Sequence, residues 1–342
     1  METPAQIALV LAAQAGDQMA FETLVRPYQR ELLVHCYRML GSLHEAEDLV
    51  QETLLRAWEK RATLTSPGSY RAWLYRIATN LCLDHLRSAP RRSLPPDTHP
   101  VSDPSSPLPK LVREPIWLEP FPDDLLADQH SDPQDRALNR ERITLAFLVA
   151  LQHLTPVQRA ILLLREVLEW PAVEVASWLH LSVPAVNSTL QRARRALHQR
   201  NVGSEAPLAL PSPHVQDLLD RYVALWEQAD IPGLVALLRE DAWFTMPPFP
   251  AWFQGRAAIA TVLSASIFTP GRHWRLLPTR ANGSPAFGLY RREAGADVYQ
   301  LSGLVVLGVE GEQIASLVAF LELSSLSSFA LPPTLPYLLL EG

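Results

Sequence analysis

At 342 residues the chain exceeds what one hydrophobic core usually organises, which excludes a single small domain and predicts two or three domains of roughly 100 to 200 residues. Hydrophobic residues at 48% and charged residues at 19% exclude a disordered polypeptide, and no apolar run is long enough for a membrane span. The net charge of −6 gives no global attraction to phosphate.

That average hides a division. Residues 205–342 hold 13 acidic residues against 8 arginines, while 1–204 hold 23 acids against 22 bases. From Val175 to Ser204 there is no acid, but there are four arginines, at 192, 194, 195 and 200. A local basic stripe is compatible with an acidic whole. Glu2 and Asp17 flank the first apolar stretch with no basic segment before it, so a signal peptide is not expected and the expected compartment is the cytoplasm. Cys36 and Cys82 lie far apart in sequence, which supports neither a disulfide framework nor a cysteine zinc site; no metal or cofactor is expected.

The first block, residues 1–88, reads as helices. Ser42 with Glu45 three residues on has the pattern of a capping box, and Ala46, Leu49, Val50, Thr53, Leu54, Ala57 and Trp58 then recur at helical spacing. Asp48, Glu52 and Glu59 fall on the opposite face. After the break at Ser66-Pro67-Gly68-Ser69 a second amphipathic helix places Trp73, Leu74, Ile77, Ala78 and Leu81 inward. Periodicity alone describes an ordinary helical bundle with solvated charged faces.

Residues 89–135 form a linker, with eleven prolines between Pro90 and Pro133. Within it Ile116-Trp117-Leu118-Glu119-Pro120-Phe121-Pro122 is too apolar for a passive spacer and is expected to dock on a neighbouring domain. The next block, 136–202, starts a helix at Thr155-Pro156, an N-cap followed by proline in the first turn. A short helix after Trp170-Pro171 and a turn at His180-Leu181-Ser182 lead into a helix from Val183. Its inward stripe is Val186, Leu190, Ala193 and Leu197. Asn187, Ser188, Gln191, Arg192 and Arg195 point outward, as a helix-turn-helix presents base-reading and phosphate-binding side chains.

The last block, 214–325 with a tail at 326–342, begins with helices at 214–227 and 231–239. A strand at 242–246, a helix at 255–264 and strands at 274–279, 286–291, 298–309 and 314–322 follow, with turns at Asn282-Gly283 and Glu310-Gly311. Helices followed by a curled antiparallel sheet describe an α+β cone enclosing an apolar pocket. Trp226, Asp241, Trp243, Met246, Trp252, Arg280, Asp297, Tyr299 and Glu322 are the candidates to line it. No acid/base pair among them has a spacing that identifies a reaction, so no catalytic residue is assigned.

Three segments carry a family resemblance: Glu45-Ala46-Glu47-Asp48-Leu49-Val50-Gln51-Glu52-Thr53; Trp73-Leu74-Tyr75-Arg76-Ile77-Ala78-Thr79-Asn80 with Asp84-His85-Leu86-Arg87; and Val186-Asn187-Ser188-Thr189-Leu190-Gln191-Arg192-Ala193-Arg194. In order and spacing they resemble bacterial RNA polymerase sigma factors of the compact extracytoplasmic-function group of the sigma-70 family. The stretch Asp241 to Pro248 followed by Trp252-Phe253-Gln254-Gly255-Arg256 resembles SnoaL-like domains, related to polyketide cyclases and ketosteroid isomerases. The implied fold is two all-α sigma domains, a helical bundle and a helix-turn-helix, followed by an α+β SnoaL-like cone.

The resemblance implies a promoter-specificity subunit whose partners are core RNA polymerase and promoter DNA, with no membrane partner. It places Asp48, Gln51 and Glu52 against the polymerase. Arg71, Tyr75, Arg76, Thr79, Asn80 and Arg87 fall on the −10 element, and Asn187, Ser188, Gln191, Arg192 and Arg195 on the −35 element. It also implies that the appended cone modulates polymerase engagement in cis, with room for a small-molecule ligand. Two other readings stay open: a binding or isomerase-like cone tethered to a DNA-binding module, and an ordinary helix-turn-helix repressor.

Overall fold

The computed structural model describes residues 4–64, 69–112, 116–126, 143–199, 213–321 and 324–337. The chain divides into two compact units, one of residues 1–92 with 146–204 and one of residues 93–145 with 205–342.

In the first unit, helices α1 (Pro4–Gln14), α2 (Gln18–Val25), α3 (Gln29–Leu40), α4 (Leu43–Glu59) and α5 (Tyr70–His85) form a bundle. Two of the starts are capped by side chains: Asp17 accepts from the Ala20 amide and Ser42 from the Glu45 amide. The Glu45 carboxylate holds Arg92 at 2.7 Å and lies 3.4 Å from His85. Gly41, at φ 75°, ends α3 in the left-handed conformation that glycine adopts without strain. Leu32, Cys36, Met39, Leu43, Ala46, Leu74, Ala78 and Cys82 fill the interior, and Trp73 is buried beside them. The two cysteines, 46 positions apart in sequence, meet in this core as free thiols, and hydrogen bonding to Cys36 and burial raise the Cys82 pKa.

The same unit contains α6 (Leu145–Gln152), α7 (Pro156–Leu162), α8 (Ala172–Leu179) and α9 (Val183–His198). Thr155 and Gln158 complete a capping box at α7. The α7 helix passes into a π-helical turn at Leu163–Val167. His180, at φ 54°, closes α8, and Ser182 caps α9 by accepting from the Ala185 amide. The α7 helix packs on α3 and α5 of the bundle.

The second unit is the cone. Helices α10 (Pro213–Glu227), α11 (Ile231–Ala236) and α12 (Arg256–Val262) cover one sheet. Its strands are β1 (Leu238–Thr245), β2 (Trp252–Gln254), β3 (Arg272–Ala281), β4 (Ser284–Glu293), β5 (Val298–Glu310) and β6 (Gln313–Leu321), with β7 (Thr334–Pro336) added to β5. The order is β2-β1-β6-β5-β4-β3. The sheet is mixed where an antiparallel one was expected: β1 runs parallel to β6, because β1 enters from the helices and β6 from the β5 hairpin. The helix expected to reach Arg239 ends at Ala236, and Leu238 already belongs to β1.

The described residues 93–112 and 116–126 belong to this unit and lie along the cone. Ser93 pairs with the Trp117 segment in a parallel bridge, and Pro122 bridges to Ala281. Phe121 is completely buried, a gain of roughly 2 to 3 kcal/mol for an aromatic side chain.

Candidate nucleic-acid interface and cone cavity

The recognition candidates on α9 share one face because their spacing of one, three and four residues follows the helical period. Asn187, Ser188, Gln191, Arg192 and Arg195 are all exposed, while Val186 and Ala193 are fully buried and Leu190 nearly so. The Ser182 cap fixes the first turn, and Arg192 donates to Thr189 Oγ1 at 2.9 Å. Arg194, just off this face, pairs with Glu166. The face thus combines amide and hydroxyl groups, which match base edges, with guanidinium groups, which match phosphates.

The second candidate group lies on α5 and is split by the fold. Arg76, Asn80 and Arg87 are exposed, Arg87 beside Asp84 at 3.1 Å. Thr79 faces the core, where its hydroxyl meets His35 Nε2 at 2.9 Å, so it presents nothing to DNA. Tyr75 is also buried, and its hydroxyl donates to Glu31 at 3.2 Å. Burial, with the Glu31 charge, raises the Tyr75 pKa and keeps the phenol neutral. Arg71 is half-buried, with Nε donating to Glu31 at 2.9 Å and its guanidinium 5.4 Å from the Trp170 ring. Burial opposes the Arg71 charge, but Tyr75 and Glu31 outweigh it and raise the pKa. Trp170 stands 6.1 Å from the Tyr75 ring and 5.2 Å from Trp178. The segment before the helix-turn-helix therefore covers the start of the α5 candidate surface. Periodicity could not show this, because the partner lies about 100 residues further along.

A buried arginine pins the two helical groups together. Arg159, 3% exposed, donates to the backbone oxygens of Leu151 at 3.0 Å, Leu154 at 3.4 Å and Met39. No carboxylate partners it in these bonds, and burial, with the Arg91 charge, lowers its pKa to about 10. It remains cationic at neutral pH.

On α4, Asp48 and Gln51 are exposed and Glu52 is partly so, its carboxylate held by Arg56 at 2.7 Å. Leu55, one turn beyond Gln51, is 60% exposed.

In the cone, Trp226 and Met246 line a partly open cavity of about 590 Å³, together with Leu108, Leu111, Phe244, Trp274 and others. The other candidates lie elsewhere. The exposed Asp241 pairs with Arg239, Asp297 lies in an exposed turn, and Tyr299 packs toward Tyr337 and Arg292. Strand alternation turns Trp243 away from Phe244. Trp252 donates through Nε1 to the His99 carbonyl at 2.8 Å, anchoring the linker. Glu322 lies outside the described residues.

Arg280 has a role the sequence did not show. It binds Asp123 at 3.1 Å in a clasp built on the Asn282-Gly283 turn. Both turn residues have positive φ, 54° and 73°, the backbone of a tight hairpin. Asn282 is fully buried; its Oδ1 accepts from the Phe121 amide at 2.9 Å and its Nδ2 donates to the Ile143 carbonyl at 2.9 Å. The Gly283 amide donates to Asp123 at 2.8 Å. One hairpin tip thus holds Phe121 and Asp123 of the linker together with Ile143 of the following block. Among the described residues no cluster of metal-ligating side chains occurs, and no helix is long and apolar enough to cross a membrane.

Comparison with known proteins accounts for this arrangement. Residues 24–92 match the Sigma-70 region 2 family, residues 144–197 Sigma-70, region 4, and residues 219–317 the SnoaL-like domain. The chain is 46% identical over 336 residues to the ECF RNA polymerase sigma factor SigG of Mycobacterium tuberculosis, covering 95% of this chain and 89% of that one. It is 29% identical over 185 residues to the ECF RNA polymerase sigma factor SigW of Bacillus subtilis, covering 54% of this chain and 90% of SigW. The crystal structure of the Mycobacterium tuberculosis extracytoplasmic function sigma factor SigJ shares the fold, with a TM-score of 0.58 and 20% identity over 90% of this chain and 100% of that one. The chain belongs to the extracytoplasmic-function sigma factors of the sigma-70 family and carries a SnoaL-like domain at its C-terminal end.

Proposed function

We propose that this sigma factor binds core RNA polymerase in the cytoplasm, reads a −35 element with α9 and a −10 element with α5, and is regulated in cis by its cone. The observation that carries the promoter assignment is the exposed face of Asn187, Ser188, Gln191, Arg192 and Arg195 on a helix whose opposite face is buried. Asp48, Gln51 and Glu52, with Leu55 beside them, offer an acidic and apolar surface to the polymerase. Arg76, Asn80 and Arg87 are open to the −10 strand, and Arg71 and Tyr75 become available once Trp170 withdraws.

The geometry also supports a regulatory step. The −35 and −10 elements lie about 25 base pairs apart, roughly 80 Å of duplex at ~3.4 Å per pair. A compact body of roughly 150 residues is only about 40 Å across. Regions 2 and 4, packed as one unit through Arg159 and Trp170, must separate to read both elements. The linker that permits separation is the segment clasped by the cone at Asn282, Arg280 and Trp252. The cone thereby limits how far the regions can part. On this reading the cone acts as a regulatory module through its hold on the linker.

Run-off transcription with purified core polymerase tests this reading. The full chain should direct initiation at a defined promoter, and Asn282→Ala, which loosens the clasp, should raise output. A chain that binds no core polymerase overturns the assignment. Output unchanged by Asn282→Ala overturns the regulatory part.

A further inference from the structure

The tip of the β3–β4 hairpin meets the linker as a receptor meets an extended peptide. The Phe121 amide donates to Asn282 Oδ1, and the Asn282 amide donates to the Phe121 carbonyl, both at 2.9 Å. One linker residue is therefore held through both of its backbone groups. Pro122 follows in an antiparallel bridge to Ala281. The Asp123 carboxylate then accepts from the Gly283 amide at 2.8 Å through Oδ1 and from Arg280 Nε at 3.1 Å through Oδ2. Phe121 is completely buried and Asp123 is 8% exposed, whereas Asp124 is exposed. The contacts select an aromatic residue, a proline and an aspartate in that order.

The receptor side owes its shape to the cone. Strands β3 and β4 pair without a break from Arg272↔Glu293 to Ala281↔Ser284, and the Gly283 carbonyl accepts from Arg280 at 3.0 Å. A site set by its own hairpin is pre-organised, so a ligand does not have to build it.

We propose that this tip is an exchangeable peptide site: Phe121-Pro122-Asp123 is its resident ligand, and a protein partner presenting an extended aromatic-proline-aspartate segment takes the same place when the linker leaves. The resident is tethered, at an effective concentration of about millimolar, so a competitor gains the site only in chains whose linker is out. By linkage, its binding favours the released linker. The proposal deepens the cis-regulatory reading by naming a partner class, and it rests on that reading only for its effect on transcription. Binding is measured without polymerase, so the two can fail separately.

The probe is a fluorescein-labelled peptide of residues 117–125, Trp-Leu-Glu-Pro-Phe-Pro-Asp-Asp-Leu, titrated with the full chain and followed by anisotropy. Phe121→Ser with Asp123→Ala vacates the tip, and this chain should bind the peptide at least about tenfold more tightly than the parent does. Adding Arg280→Ala to the vacated chain, or changing the peptide by Asp123→Asn, should raise the Kd about tenfold. A second measurement needs no vacated chain. Unlabelled peptide at about 5 mM, above the tethered concentration, should speed hydrogen exchange at the Phe121 amide of the parent, and the Asp123→Asn peptide should do so less. No saturable binding by a folded vacated chain, or binding indifferent to both Arg280→Ala and the altered peptide, overturns the site. Unchanged Phe121 exchange in the parent overturns the exchange. Peptide binding that leaves run-off output unaltered would refute the regulatory reading while the site stands.

Discussion

His35 is 2% exposed, with Nε2 on the Thr79 hydroxyl, and burial, followed by the Arg38 charge, lowers its pKa to about 3. An unfolded histidine titrates near 6.5, so between pH 6.5 and 3 the unfolded chain holds the extra proton. The stability that neutral His35 supplies is complete above pH 6.5 and declines as pH falls toward 3. The slope is about 1.4 kcal/mol per unit, or about 2 kcal/mol between pH 6.5 and 5. Urea midpoints at pH 7.5 and 5 check this, and His35→Asn should flatten the decline. Cys36 and Cys82 lead to a second expectation. Both are fully buried, and the Cys82 pKa is raised, so neither thiol should react with a disulfide reagent until the chain is denatured. On α9 the split between base and phosphate contacts can be read directly. Asn187→Ala should change promoter preference by about 1 to 3 kcal/mol at one position. Arg192→Ala should weaken all promoters and reduce the salt slope by about 0.9. Indistinguishable promoter profiles for the two variants would refute the division.

Among the elements, the hairpin tip of β3 and β4 shows how a short motif acquires a task. Asn282-Gly283 is legible as a turn from sequence, because the tight hairpin needs positive φ at both positions. Its second use, as a socket for Phe121, Asp123 and Ile143, is not, since those residues lie about 140 to 160 positions earlier. Removing the Asn282 side chain leaves the Phe121 amide and the Ile143 carbonyl without their partner, at about 1 to 3 kcal/mol each. Asn282→Ala should therefore increase proteolysis and hydrogen exchange within residues 116–126 while the sheet keeps its circular dichroism. Linker exchange identical to that of the parent chain would show that the clasp does not hold it.

At the scale of the first unit, Arg159 joins the two groups of helices through the Met39 carbonyl, and on the proposed reading this bond holds regions 2 and 4 closed. Arg159→Met should cost about 3 kcal/mol in charged hydrogen bonds and lower the Tm accordingly. It should also favour the separated arrangement. Energy transfer between dyes on Glu59→Cys and Gln199→Cys reports the change. Transfer should fall in the Arg159→Met chain and fall further on promoter binding. Unaltered transfer would mean that Arg159 stabilises the unit without governing its opening.

What could be read along the chain was whatever depends on neighbours a few residues away. The α9 face follows from the helical period, and its starting cap from Ser182. Proline density marked residues 89–135 off from the flanking helices, and the apolar segment from Ile116 to Pro122 read as one that docks. Its seat on the cone, the withdrawal of Thr79 and Tyr75 from the surface, the parallel β1–β6 pair and the meeting of the two cysteines depend on residues far apart in sequence. So does the cavity, where two of the eight described candidate residues arrived and the linker supplied a wall. Local periodicity says which side of an element is apolar, but only long-range packing determines what that side meets.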